Sequence, residues 1–238
     1  MKKLCVVEVH PDDFWLNMSM YCYRQRKDIK LVVVTVFTKG KGVSPCINTE
    51  VALKACEFDY KWYALDYTNL EDRTNVQDKT EKQRLRDSVT SLKEEFLTVN
   101  KKRPNELEQD VKKIVSDCDE VFVPMGYKNP NHNMISRMWF HPRQKFYREY
   151  PYFWNASPLL KNADYNYAKY ISPETFTLSA EELAFKWKMF AQIYKDQIGS
   201  MWYDRPYYKK VDTEQIWETS GTDFENYKEV LAWLKTVR

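Results

Sequence analysis

Three apolar runs, Leu4–Val9 (LCVVEV), Leu31–Phe37 (LVVVTVF) and Val121–Pro124 (VFVP), are each the length of a β-strand, and helical patterns separate them. Strand, helix and strand in succession pack most simply as a parallel pair with the helix crossing one face. The alternation therefore predicts βαβ units and an α/β fold, Rossmann-like and three-layered, on a mostly parallel sheet. Trp62–Leu65 is a weaker fourth strand candidate. Thr49–Phe58 has helix composition, and Pro104–Ser116 places proline and acids in its first turn and lysines later, as the helix dipole favours. Leu178–Met201 reads as the clearest helix, opened by a capping box of Ser179 and Glu182. The charged stretch Glu71–Lys102 reads as partly helical and solvated, with no chemistry assigned to it.

At 238 residues and 43% hydrophobic content, the chain can bury one sizeable core, and a single domain over residues 1–238 is expected. Five glycines and ten prolines leave no linker-like or low-complexity stretch, and no solenoid period recurs. The N-terminal run is too short and too polar for a signal peptide or membrane span, so a soluble, cytoplasmic protein is expected. The five cysteines are odd in number and form no C-x-x-C pair, which suits reduced core thiols. With 37 basic and 34 acidic residues, the net charge of +3 gives no nucleic-acid footprint. Aromatic residues make up 16% of the chain and crowd between Trp139 and Tyr208. Tyr152, Phe153, Trp154, Trp202 and Tyr203 could stack on a sugar face, although core packing is the plainer reading of each.

In an open parallel sheet, ligands bind beyond the carboxyl ends of the strands. Two clusters follow strand runs directly: His10-Pro11-Asp12-Asp13, and Met125 to His132 (MGYKNPNH). An Asp where a strand turns into a helix can simply cap that helix. Two adjacent carboxylates and a histidine ask for more than one cap, because their mutual repulsion needs a cation or donors to offset it. His10 and Asp13 can present a nitrogen and an oxygen from one turn, with Asp12 beside them. Of the three histidines, His132 is the best placed to supply a third ligand.

The pairing of HPDD after the first strand with a late N-P-x-H resembles the LmbE-like, or PIG-L, de-N-acetylases, zinc enzymes that remove acetyl from N-acetylglucosaminyl groups and whose motifs are commonly written HPDDE and HPDH. The likeness continues through Val32–Gly42 (VVVTVFTKGKG, the second strand and T-x-G loop), Thr49–Ala55, Leu65-Asp66-Tyr67, Asp119–His132, and the late helix ending YKDQ. Carried over by position, the resemblance implies a Zn2+ ion on His10, Asp13 and His132, with Asp12 as general base. A His2Asp set leaves zinc an open position for water, as a catalytic site requires. The implied substrate is an N-acetylated amino sugar or a conjugate carrying one.

Phe14 stands where the family usually has glutamate, and Met18-Ser19 replaces its glycine pair. Asn129 occupies the place of the first histidine of HPDH, which in the family helps to stabilise the oxyanion, and its amide carries no charge. His141 is a rival oxyanion donor, though a histidine beside proline more often serves a loop. Asp66, Lys128 and Arg143 are candidates for substrate contact, with solvation as the plainer reading of the two cations. Two other functions are compatible with these residues: hydrolysis of another amide or ester, and a metal- or sugar-binding relative impaired by Asn129.

Overall fold

The computed structural model describes residues 1–40, 43, 45–70, 93–126, 129–149, 174–195 and 212–218. Among them, seven strands form one sheet: β1 (Lys2–Glu8), β2 (Ile29–Lys39), β3 (Tyr60–Thr68), β4 (Glu120–Pro124), β5 (Gln144–Tyr147), β6 (Glu174–Thr177) and β7 (Thr213–Glu218). Their order is β3-β2-β1-β4-β5-β7-β6. The first five in this order run parallel, and β7 joins β5 and β6 antiparallel. This is the mostly parallel α/β sheet that the alternating runs predicted.

The apolar runs seed the interior. β1 lies between β2 and β4, with Val6 opposite Val33 on one side and Phe122 on the other. Both its faces are covered, so its sequence is nearly continuous in apolar residues rather than alternating. Cys5, Val7 and Val9 join a core with Leu107, Val111 and Val115, while Leu4 and Val6 join a second core with Leu53 and Phe190. The two cores are the two faces of the sheet, and helices close each one.

Six labelled helices accompany the strands: α1 (Asp13–Asn17), α2 (Ser19–Arg24), α3 (Ile47–Ala55), α4 (Pro104–Val115), α5 (Pro130–Ser136) and α6 (Ala180–Ile193). Residues 93–100 are also helical, so the charged stretch ends in a helix, and its residues 71–92 lie outside the described ones. In α6 the capping box is formed: the Glu182 N–H donates to Ser179 Oγ at 3.2 Å, and the Ser179 N–H donates to Glu182 Oε2 at 2.7 Å. The helix ends at Ile193, and positions 196–201 of the longer helix read from sequence lie outside the described residues. All five cysteines are free thiols, and four of them are buried. No helix among the described residues is long and apolar enough to cross a membrane.

β1 hands over to α1 through the HPDD turn, and its capping differs from the simplest reading. Asp12 is the N-cap residue of α1, yet its side chain makes no cap hydrogen bond. The Phe14 N–H instead donates to Glu8 Oε2 at 3.1 Å, and Glu8 also accepts from the hydroxyls of Thr35 and Thr49. Burial pushes the Glu8 carboxyl up to about 8, against the opposing pull of those donors. Phe14 turns inward, edge-on to Phe58 with ring centroids 6.1 Å apart. Phe14 is therefore a core residue, and the carboxylate that accepts its N–H comes from β1.

Candidate active site

His10 follows β1, Asp13 opens α1, and His132 lies on α5 just beyond β4, the strand adjacent to β1. Their side chains converge. His10 Nδ1 is 3.7 Å from Asp13 Oδ2 and 3.1 Å from His132 Nε2, and His132 Nε2 is 3.4 Å from Asp13 Oδ2. A tetrahedral ion with bonds of about 2.0–2.1 Å needs ligand atoms separated by about 3.4 Å, which these three edges bracket. Among the described residues, this is the one group of three able to hold a metal ion.

The donor chemistry fits as well. His132 is fully buried, and its Nδ1 meets Glu149 Oε1, while Glu149 Oε2 accepts the Gly126 N–H. A carboxylate can only accept, so it holds the proton on Nδ1 and supports Nε2 as a ligand nitrogen directed into the cluster. Asp13 is anchored by the His10 N–H, which donates to its Oδ2 at 2.8 Å. Burial pushes Asp13 up to about 7, with the charge of His132 opposing. For His132, burial is outweighed by Asp13 and Glu149, which bring it up to about 9. Burial and the charge of His132 hold His10 down at about 3. The negative charge of Asp12, only partly buried beside them, raises both Asp13 and His132.

Other expected site residues have different places. Asn129 caps α5: its Oδ1 accepts the Asn131 N–H at 2.9 Å. The group that could meet an oxyanion is therefore its amide nitrogen. His141 and Arg143 precede β5, at the amino ends of the parallel strands, where the Val121 N–H donates to the Arg143 carbonyl at 3.3 Å. His10, Asn129, His132 and Glu149 all lie beyond the carboxyl ends. Because β4 separates the two edges, the structure does not bring His141 to the oxyanion position or Arg143 to a substrate there. His141 Nδ1 accepts the Arg143 N–H at 3.1 Å, and burial together with Arg143 lowers its pKa. Asp66 is exposed, paired with Lys39 at 2.5 Å, and is not brought to the cluster. Three positions further on, Asn69 makes that approach, its Oδ1 lying 3.0 Å from His10 Nε2. Lys128 lies outside the described residues, as do Tyr152, Phe153, Trp154, Trp202 and Tyr203.

Sequence reasoning missed Glu149 and Asn69. Glu149 follows a four-residue strand whose Gln144 and Lys145 conceal its pattern. The available signal was an acid two positions beyond a strand end, legible only once β5 is recognised.

No protein-family model and no curated protein sequence matches the chain. Solved structures do match its fold. A deacetylase of teicoplanin biosynthesis, in complex with bog, superposes with a TM-score of 0.58 at 12% identity, covering 91% of this chain and 97% of that one. The zinc-inhibited form of the teicoplanin deacetylase Orf2 gives 0.57 at 12% identity, with the same coverage of each chain, 91% and 97%. N,N'-diacetylchitobiose deacetylase from Pyrococcus horikoshii gives 0.53 at 11% identity, covering 94% and 85%. The chain thus has the LmbE-like α/β fold, in agreement with the sequence resemblance.

Proposed function

We propose that this protein is a zinc-dependent amidohydrolase that removes the acetyl group from an N-acetylated amino sugar or its conjugate. The observation that carries this reading is the convergence of His10, Asp13 and His132 on tetrahedral edges, with Asp12 beside them. The names of fold neighbours, deacetylases of a teicoplanin pathway and of diacetylchitobiose, support the choice of bond and substrate class.

A zinc ion on these three ligands would polarise an amide carbonyl and bring the pKa of water towards neutrality. The protein's own residues would divide the remaining work. Asp12, outside the ligand set and less buried than Asp13, takes the proton of the attacking water and returns it to the leaving amine. Glu149 holds the His132 ring in place, and the amide nitrogen of Asn129 is the candidate donor to the developing oxyanion.

Asp12→Asn should keep the metal and lower turnover by about 10²–10⁴-fold, whereas Asp13→Ala should lose the metal. Metal content of the purified variants, with acetate release from N-acetylglucosamine conjugates, decides the matter. Retention of metal by Asp13→Ala and its loss in Asp12→Asn would reverse the two roles. One rival reading, a metal-holding relative with little turnover, is favoured by the residue at position 129, an asparagine whose uncharged NH2 is a weaker donor to an oxyanion than a protonated imidazole. Absence of acetate release across a broad panel of N-acetyl sugars would support it.

A further inference from the structure

We propose that Asn131, acting through Asn69, is a positioning residue for His10: a relay of side-chain amides anchored on the Leu70 backbone fixes which imidazole nitrogen faces Asp13 and His132. The proposal rests on the metal-site reading above and adds to it how one ligand is prepared.

The orientation of a side-chain amide is settled when one partner has a single role. The Leu70 N–H can only donate, and it lies 3.0 Å from Asn131 Oδ1. Asn131 Nδ2 must then face the other way, where it meets Asn69 Oδ1 at 2.5 Å and Asn129 Oδ1 at 3.2 Å. The Asn129 oxygen is independently fixed by the Asn131 backbone N–H. Asn69 therefore presents its oxygen, and that same atom lies 3.0 Å from His10 Nε2. An amide oxygen accepts only, so Nε2 carries the proton and Nδ1 is bare towards the cluster. Asn131 is 1% exposed, which leaves water little part in the relay.

Asn69 is itself seated by backbone. Its N–H donates to the Lys39 carbonyl at 2.7 Å. Gly40, at φ +115°, packs so closely that a Cβ there would stand 2.9 Å from Asn69 Cβ. Glycine at this position both adopts the left-handed backbone and leaves room for Asn69.

The isosteric change Asn131→Asp makes the test sharp. A carboxylate can still accept from Leu70 but cannot donate to Asn69, so Asn69 would present its NH2 group to the new acid. His10 Nε2 would lose its acceptor, and its proton would shift to Nδ1. Asn69→Asp preserves an acceptor for both neighbours and should preserve the tautomer. The experiment is ¹⁵N NMR of the imidazole rings in metal-free wild type and both variants at neutral pH, followed by calorimetric titration with zinc.

The expected result is a protonated Nε2 on His10 in wild type and Asn69→Asp, a shift towards protonated Nδ1 in Asn131→Asp, and zinc bound about 10–100-fold more weakly by that variant alone. A His10 tautomer unaffected by Asn131→Asp, or protonated on Nδ1 already in wild type, overturns the relay. If wild type shows the expected tautomers and their shift but binds no zinc, the relay stands and the metal reading falls.

Discussion

Asp12 and Asp13 adjoin in sequence yet meet different surroundings. Asp13 is 3% exposed and faces two imidazoles, whereas Asp12 keeps partial access to solvent. The enclosed groups govern how the metal-free protein responds to pH. Glu8 is raised by burial from 4.5 to about 8, and His132 is raised from 6.5 to about 9 by Asp13 and Glu149 in spite of its burial. Each folded group holds its proton more tightly than the unfolded chain does. Its contribution to stability is therefore full below the unfolded pKa and lost as pH rises through the folded one. With chelator present, the melting temperature should fall between pH 7 and 8.5, and a flat or rising value would contradict these environments. Asn129 allows a second prediction. Asn129→His should raise acetate release about 10-fold or more if an imidazole restores a charged donor to the oxyanion. It should also cost about 1 kcal/mol of stability through the lost cap, measured by urea unfolding.

Among the elements, α2 draws its N-terminal acceptor from far along the chain. Its free N-terminal N–H groups, those of Met20 and Tyr21, donate to the Glu214 carboxylate on β7 at 3.2 and 2.7 Å. Lys186 on α6 neutralises that carboxylate at 2.6 Å, with side-chain exposures of 2% and 0% for the pair. Lys186→Met would leave the carboxylate buried without a counter-charge, so about 3–5 kcal/mol of stability should be lost in chemical denaturation. A loss below about 1 kcal/mol would mean that the pair acts like an exposed one. None of this was legible in the sequence, because the partners lie far apart along the chain and β7 has no continuous apolar run. The first strands were legible for the opposite reason. Leu4–Val9, Leu31–Phe37 and Val121–Pro124 are buried on both faces, and burial there leaves its record in consecutive residues.

At the scale of the molecule, His10 and His132 follow neighbouring strands, β1 and β4, on which the chain builds outward in opposite directions. In open α/β sheets ligands bind beyond the carboxyl ends where strand order reverses, which explains why proposed ligands 122 positions apart could be suspected from sequence: each belongs to a segment that follows a strand. His141 and Arg143 stand directly before one, a distinction invisible until β5 is placed. If zinc binds only the folded site, zinc at 100 times its Kd should stabilise the protein by about 2.7 kcal/mol, raising the melting temperature by about 5–10 °C, and this gain should vanish in Asp13→Ala. The cap on α2 has a further consequence for how the chain is made. Glu214 follows Met20 by 194 residues, an interval of roughly 10–40 s at ordinary rates of synthesis. By the end of that time His10, Asp13, His132 and Glu149 have all been polymerised, while α2, the helix that follows α1, still lacks the acid that accepts its first N–H groups. A nascent chain stalled before β7 would thus carry every proposed ligand on an unfinished support, and full pairing of this region becomes possible only once Glu214 has been made.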